Sequence, residues 1–253
     1  MNVSAVQFKA IKGDKKASLE RLCALARDAG AGTDLLVLPE MAATGYLFES
    51  RDAIAPQAEP ASGETLAALA PIARDCHCWI VAGFAERAGE QFFNSALVID
   101  PSGALHTYYR KTLLYEADRT WAEPGNTPYP IVDTGHGVFT VGICMDLNDD
   151  RFVAWCRSAG ADAIAFPTNW LDQGQDIWPY WAWRLKGIPS ALVAANTYGE
   201  EDGIRFFGSS AVLQRNRILA AAPPAGDGFI RATVALSREL SAVGHPDQFF
   251  VRP

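Results

Sequence analysis

The sequence contains no hydrophobic run long enough to span a membrane. A membrane-spanning helix needs about 20 consecutive apolar residues, and polar residues interrupt every apolar stretch of this 253-residue chain well before that length. The first residues, Met1 to Val6, lack the basic start and apolar core of a signal peptide. The net charge is −7, with 22 Lys and Arg against 29 Asp and Glu, so a polyanionic partner would be repelled. We therefore expect a soluble, cytoplasmic protein that binds neither membranes nor nucleic acids.

Cysteine is too scarce and too irregularly spaced to form a disulfide framework. The Cys76-His77-Cys78 segment has no second Cys/His pair to complete a tetrahedral zinc shell. The sequence therefore predicts reduced thiols and no metal. The five cysteines are Cys23, Cys76, Cys78, Cys144 and Cys156.

Strand-like and helix-like segments alternate along the chain. Apolar runs predict strands at 3–8, 35–38, 79–84, 138–143, 163–166 and 191–195, and apolar residues at helical spacing predict helices at 14–29, 63–76, 151–159 and 177–186. Two hairpins are expected, 93–99 with 105–109 and 209–213 with 218–222. Asp149 or Asp150 is expected to cap the helix beginning near Arg151. This alternation predicts a layered α/β fold with mixed sheets, in a single domain over 1–253.

Three segments place a reactive side chain directly after a predicted strand. Glu40 follows an apolar run and a proline, at the kind of strand end where α/β folds form ligand crevices. Lys111 lies among aromatic and apolar neighbours, and burial of that kind demands a carboxylate partner or lowers the pKa of a lysine. Cys144 ends another apolar strand and needs a nearby base to act as a nucleophile. Taken singly, each also fits an ordinary surface acid, a surface lysine or an inert buried thiol.

Together these segments resemble the nitrilase superfamily. Leu38-Pro39-Glu40, Tyr109-Arg110-Lys111-Thr112 and Gly142-Ile143-Cys144-Met145-Asp146 follow one another in the order of the Glu-Lys-Cys triad of that family. Further segments are similar, namely Phe93-Asn94-Ser95-Ala96, Trp121-Ala122-Glu123-Pro124-Gly125 and the stretch from Gly160 to Trp170. The resemblance implies a four-layer α-β-β-α sandwich, a homodimer or larger homo-oligomer, and no cofactor.

The resemblance also implies roles for individual residues. Cys144 would attack a small-molecule amide, Glu40 would shuttle the proton, and Lys111 would stabilise the oxyanion with the backbone amide of Met145 as a second donor. Ammonia would leave and the thioester would be hydrolysed by water. Counting six residues back from Pro124 suggests Asp118 as a second carboxylate in the site, with Glu116 as the alternative.

Two segments also resemble one branch of the family. Cys144-Met145-Asp146-Leu147-Asn148 and Asn169-Trp170-Leu171 resemble the amidases that act on N-terminal Asn or Gln. Such a substrate carries an α-ammonium, for which Asp118, Asp146 or Asp149 is a candidate partner. We expect Met145, Asp146, Asn169 and Trp170 to contact the substrate.

Several other functions fit the same residues. A small-amide hydrolase is the first expectation, and a nitrilase, a carbamoyl hydrolase, an acyltransferase and a catalytically silent binding protein are the alternatives. The aromatic residues near position 180 could suggest a ligand cage. Positions 178, 181 and 185 recur at helical spacing, which favours core or subunit-interface packing instead.

Overall fold

Two six-stranded mixed sheets form the centre of the molecule. A computed structural model describes residues 1–237 and 239. The first sheet has the strand order β14-β1-β2-β3-β4-β5, in which β1, β2 and β3 are parallel. Its strands are β1 (Asn2–Gln7), β2 (Leu35–Val37), β3 (Trp79–Ala88), β4 (Gln91–Ile99), β5 (Leu105–Arg110) and β14 (Gly228–Thr233).

The second sheet has the equivalent arrangement. Its order is β13-β12-β9-β8-β7-β6, and its three parallel strands β7, β8 and β9 again lie between antiparallel neighbours. A small separate sheet, the hairpin of β10 and β11, follows β9. These strands are β6 (Ile131–Asp133), β7 (Val138–Val141), β8 (Ala163–Thr168), β9 (Ala191–Asn196), β10 (Tyr198–Glu201), β11 (Ile204–Phe207), β12 (Ala211–Gln214) and β13 (Arg217–Ala221).

Helices cover the outer face of each sheet, because alternate residues of the buried strands point to opposite sides. In β2, Leu35 and Val37 lie in the core between the sheets, whereas Leu36 packs among side chains of the helices outside the first sheet. The second sheet packs against Phe152 and Trp181. The helices are α1 (Lys15–Gly30), α2 (Arg51–Ile54), α3 (Glu64–Cys76), α4 (Asp150–Ala159) and α5 (Trp178–Arg184). The predicted α-β-β-α fold with mixed sheets is confirmed.

Several structural elements lie where local sequence patterns predicted them. Asp149 is the N-cap of α4, and its side chain accepts a hydrogen bond from Arg151 N at 2.9 Å. The hairpin of β4 and β5 closes through Asp100, whose carboxylate accepts from the backbone of Ser102 and Ala104. Trp181 of α5 is fully buried, as its helical spacing predicted.

Other features differ from the expectations. The strand predicted at 138–143 ends at Val141, because the chain turns sharply at Cys144. Strands β6, β10, β11 and β14 were not predicted. In the described part of the chain, no helix is long and apolar enough to cross a membrane.

Candidate active site

Four strand ends converge at one edge of the stacked sheets. Glu40 lies three residues beyond β2, and Lys111 directly follows β5 in the same sheet. Cys144 lies three residues beyond β7 of the second sheet, and Asn169 directly follows β8. Parallel strands end at the same edge of a sheet, so stacking the two sheets brings the four residues together. Each sheet therefore supplies one side of the site.

Lys111 is the centre of a buried ionic cluster. Its Nζ lies 2.7 Å from Glu40 Oε1 and 2.6 Å from Asp118 Oδ2. All three side chains are fully buried. Glu116, the other acid suggested by the sequence, is exposed. Of the two candidates, the fold therefore brings Asp118 to the lysine.

Asn94 links the two carboxylates of this cluster. It lies on β4, and its Nδ2 donates to Glu40 Oε1 at 2.7 Å and to Asp118 Oδ1 at 3.0 Å. Its backbone carbonyl accepts from Lys111 N at 2.8 Å. No role was predicted for Asn94, because an asparagine in the middle of a strand gives no local indication of the distant acids that it contacts.

Asn169 fixes Glu40 from the second sheet. The backbone N–H of Asn169 donates to Glu40 Oε2 at 2.8 Å, and its Nδ2 donates to the backbone carbonyl of Glu40 at 3.0 Å. Trp170, the next residue, packs edge-on against Trp181 with 5.5 Å between ring centroids. Asn169 thus contacts the ionic cluster itself, whereas Trp170 belongs to the surrounding aromatic packing.

Cys144 occupies a strained turn beside the cluster. It begins a 3-10 helix (Cys144–Asn148) with φ at +43°, a conformation that side-chain-bearing residues rarely adopt. Burial raises the pKa of the Cys144 thiol, and the Glu40 carboxylate raises it further, while Lys111, the Thr168 hydroxyl and the Asn169 backbone act in the opposite direction. Thr168 Oγ1 makes no hydrogen bond of ordinary geometry with the described residues, so burial and Glu40 are the dominant influences. Both favour the neutral thiol over the thiolate.

The ionisable partners of Cys144 differ in their charge states. Burial raises the pKa of Glu40, and Asp118 adds to that effect, while Lys111 opposes it. Burial alone would lower the pKa of Lys111, but the carboxylates of Asp118 and Glu40 outweigh it and raise that pKa well above its usual value. The two carboxylates within 2.7 Å therefore favour the ammonium form of Lys111. Glu40 is a carboxylate that holds a proton more readily than a surface glutamate does.

Asp146 connects the Cys144 turn to the chain that follows Lys111. One carboxylate oxygen accepts from Ile143 N and Tyr109 Oη, each at 2.9 Å. The other accepts from Thr112 N at 3.1 Å, Thr112 Oγ1 at 2.9 Å and Leu113 N at 2.9 Å. The side chain is fully buried. These five hydrogen bonds hold the Cys144 turn against the loop that follows Lys111.

Met145 and Asp149 lie on the same segment in different surroundings. Met145 is half-buried, and its sulfur accepts from Asn148 Nδ2 at 3.1 Å. Asp149 is engaged by its own helix, because both carboxylate oxygens accept from Arg151. The Asp149 carboxylate is therefore occupied by the backbone of its own helix and by the side chain of Arg151.

The five cysteines are all free thiols. Within the described residues, no group of three or more His, Cys, Asp or Glu side chains is arranged to hold a metal ion.

Replacing Asp118 by asparagine should impair the site, whereas replacing Glu116 by glutamine should not. Asp118→Asn removes one of the two carboxylates that balance the buried Lys111, and breaking a buried ion pair costs about 3–5 kcal/mol. Glu116 is exposed, so its neutral variant should match the wild type. Urea denaturation and steady-state kinetics of the two variants test this. Equal behaviour of both variants would contradict a central position for Asp118.

Comparison with known proteins gives a consistent picture. The carbon-nitrogen hydrolase family model matches residues 2–241. An (R)-stereoselective amidase from a Pseudomonas species is 35% identical over 262 residues, which cover 100% of this chain and 90% of the relative. A nitrilase from Pyrococcus abyssi is 35% identical over 186 residues, or 72% of this chain and 68% of the relative. A protein N-terminal amidase from Saccharomyces cerevisiae is 29% identical over 168 residues, covering 55% of this chain and 37% of that protein.

A solved structure has the same fold. An amidase of the nitrilase superfamily from Nesterenkonia AN1 superposes with a TM-score of 0.82 at 23% identity, covering 94% of this chain and 92% of that one. In another structure of that amidase, acrylamide has added to the active-site cysteine.

Proposed function

The chain belongs to the carbon–nitrogen hydrolase family, and we propose that it hydrolyses a small linear amide to a carboxylate and ammonia. The observation that carries the proposal is the fully buried cluster of Glu40, Lys111 and Asp118 beside the strained Cys144. Keeping three ionised groups away from water is costly, and such clusters of perturbed ionisable groups concentrate at functional sites. A thiol, a carboxylate and a lysine ammonium are the groups that acyl transfer uses, and their proximity supports the proposal.

The first step is attack by Cys144. The Glu40 carboxylate takes the thiol proton while the sulfur bonds to the carbonyl carbon, and the carbonyl π electrons move to oxygen. A lysine ammonium has three N–H donors. In the described structure, Glu40 and Asp118 accept two of the three from Lys111, so the third can donate to the oxyanion together with the backbone amide of Met145.

Glu40 acts as an acid in the second step and as a base again in the third. Glu40 passes its proton to the amide nitrogen, the carbon–nitrogen bond breaks, and ammonia leaves a thioester on Cys144. Water then attacks the thioester while Glu40 takes a proton from it, and the departing sulfur recovers that proton. Asp118 has a positioning role in this scheme, because it fixes Lys111 directly and Glu40 through Asn94.

The contacts of three acids favour a free small amide over a peptide with an N-terminal Asn or Gln. Asp118, Asp146 and Asp149 were the candidate partners for an α-ammonium. Both oxygens of each already accept hydrogen bonds from protein donors, and Asp118 and Asp146 are fully buried. A terminal ammonium would have to displace those donors.

The test is a panel of potential substrates with ammonia as the readout. Aliphatic amides, glutamine-like free amides, peptides with N-terminal Asn or Gln, nitriles and N-carbamoyl amines are each incubated with the wild type and with Cys144→Ala. We expect ammonia from a free amide, none from the variant, and an acyl adduct on wild-type Cys144 in acid-quenched mass spectra. Carbon dioxide release would identify a carbamoyl hydrolase, and turnover of nitriles alone a nitrilase. Silence of the whole panel would refute the proposal.

The pH dependence of kcat/KM should show that the pKa of Glu40 lies above the ordinary range of a glutamate. The base must be ionised in the free enzyme, and burial raises the pKa of Glu40, so kcat/KM should fall as the pH drops through that raised value. Lys111 and Cys144 both have raised pKa values, so the cation and the neutral thiol persist on the alkaline side. We expect the acid limb of a kcat/KM profile above about pH 4.5, the usual glutamate range. A limb at or below that value would show that another group acts as the base.

We also propose that the protein assembles into a homodimer or larger oligomer. On α5, the side chain of Trp183 is 62% exposed and that of Tyr180 is 38% exposed, and aromatic side chains are enriched at interfaces between subunits. Sedimentation of the wild type and of Trp183→Glu tests this, and a monomeric wild type would contradict it.

A further inference from the structure

Tyr46 faces the ionic cluster from the loop after β2. Its side chain is only 2% exposed, and its ring centroid lies 5.7 Å from Lys111 Nζ. The ring of Phe206 from β11 packs edge-on against it, with 6.0 Å between centroids. Burial raises the pKa of the Tyr46 phenol, and Asp118, Glu40 and Cys144 raise it further while Lys111 opposes them. Tyr46 is therefore a neutral phenol that interacts electrostatically with Lys111, Asp118 and Glu40.

Among the described residues, the hydroxyl of Tyr46 has no hydrogen-bond partner, although the side chain as a whole is only 2% exposed. Its oxygen is not one of the fully buried atoms that lack a partner, so the hydroxyl lies at an opening beside the ionic cluster. A polar group in such a position is normally satisfied by protein, water or a bound molecule. The hydroxyl is therefore available to a molecule that binds beside Cys144.

A carboxylate from a distant hairpin holds the backbone of Tyr46. Glu201 at the end of β10 accepts from Tyr46 N at 3.0 Å and from Leu47 N at 2.7 Å. Gly45 before them has φ at +80°, and a Cβ on it would lie 2.9 Å from Glu201 Oε2. Successive backbone N–H groups after such a residue form a concave anion site. In this protein the Glu201 carboxylate occupies that anion site.

The same hairpin also reaches the loop after β8. Phe207 N donates to the carbonyl of Trp170 at 2.9 Å, and Phe206 forms a bridge with Leu171. Asn169 in that loop holds Glu40. The β10–β11 hairpin thus contacts both the loop of Tyr46 and the loop that positions Glu40.

We propose that Tyr46 is a substrate-binding residue whose hydroxyl hydrogen-bonds the carboxamide group held beside Cys144, and that Glu201 is a positioning residue that fixes Tyr46. The inference rests on the proposed function, because the amide that Tyr46 would contact is the substrate proposed there. A phenol can accept from the amide N–H₂ or donate to the carbonyl oxygen. A primary amide offers both partners, so the site selects for an unsubstituted carboxamide.

The first test is Tyr46→Phe, which removes only the hydroxyl. We expect kcat/KM for the best amide of the panel to fall by about tenfold or more. The reaction of Cys144 with methyl methanethiosulfonate, a thiol reagent that is not an amide and that forms a methyl disulfide on the cysteine with release of methanesulfinate, should keep its wild-type rate. Wild-type kinetics in Tyr46→Phe would overturn the inference and leave the proposed function intact. A wild type that releases no ammonia from any amide would refute the proposed function and the inference together.

The second test separates positioning from general stability. Glu201→Ala should lower kcat/KM by several-fold or more, and Glu201→Gln, which keeps one acceptor, should lower it less. Asp202→Asn is the matched control, because Asp202 is exposed and pairs only with Lys12 among the described contacts. In a Tyr46→Phe background, Glu201→Ala should cost much less than in the wild type. Fully additive losses would overturn the positioning role.

Discussion

Substituting methionine for Lys111 should both abolish amide hydrolysis and destabilise the fold. Methionine has a similar length but no charge, so the buried Glu40 and Asp118 would lose the cation they share. Removing one partner of a buried ion pair costs about 3–5 kcal/mol. The oxyanion would also lose a donor, and removal of one such donor typically costs about 100-fold to 1,000-fold in kcat. Urea denaturation and ammonia release from the best amide measure the two effects.

A triple variant distinguishes the two causes. Adding Glu40→Gln and Asp118→Asn to Lys111→Met removes all three charges while nearly preserving side-chain volume. We expect this variant to recover most of the lost stability and to remain inactive, because it has no base. The destabilisation of Lys111→Met alone should also shrink at low pH, where the Glu40 carboxylate, whose pKa is raised by burial, becomes protonated. If Lys111→Met were as stable as the wild type, the three side chains could not form a buried ionic cluster.

Alanine at Gly83 should inactivate the enzyme by displacing Glu40. Gly83 lies on β3 beside the backbone of the Glu40 loop, and a Cβ there would lie 2.5 Å from Glu40 Cα and 2.6 Å from the Pro39 carbonyl. Both contacts are with backbone, which cannot give way by changing rotamer. Overpacking of this kind costs about 1–3 kcal/mol, and a misplacement of about 1 Å in an active site can cost about 100-fold in rate.

Gly228→Ala is the matched control for this substitution. Gly228 lies on β14 of the same sheet, and a Cβ there would meet nothing within 4 Å. We expect Gly228→Ala to keep wild-type kcat. In Gly83→Ala, labelling of Cys144 by methyl methanethiosulfonate should persist, because the cysteine belongs to the other sheet. Full activity of Gly83→Ala would mean that the loop tolerates the shift and that Glu40 is less tightly placed than its contacts indicate.

The strands that carry the site could be predicted because they are buried on both faces. A strand such as Leu35–Val37 is apolar at every position, and a continuous apolar run is a local signal. Strand β14 has mostly half-buried or exposed residues, so its sequence lacks that signal. It is placed by pairing with β1, in which Asn2 lies opposite Thr233. No local pattern encodes a partner so distant.

The same distinction separates the predicted site residues from the others. Glu40, Lys111 and Cys144 could be recognised because each follows a strand and belongs to a short motif. Asn94 and Tyr46 could not, because the groups that they face come from other parts of the chain. Asp146 lies two residues from Cys144, and sequence alone could not show that its carboxylate turns toward Thr112 and Leu113. Spacing predicted which residues are near one another but not the direction of each side chain.

The pairing of β14 with β1 has a consequence for the order in which the protein is made. Strand β1 is synthesised before the other strands of its sheet, whereas its antiparallel neighbour, at residues 228–233, is synthesised after all of them. Until then the nascent first sheet has an open edge of unpaired backbone groups, which is a template for aggregation. The ionic cluster of Glu40, Lys111 and Asp118 lies entirely within the earlier half of the chain, so translation completes it long before that edge is covered. A ribosome stalled between residues 144 and 228 would therefore hold a chain that already contains Glu40, Lys111 and Cys144 but still has an aggregation-prone edge.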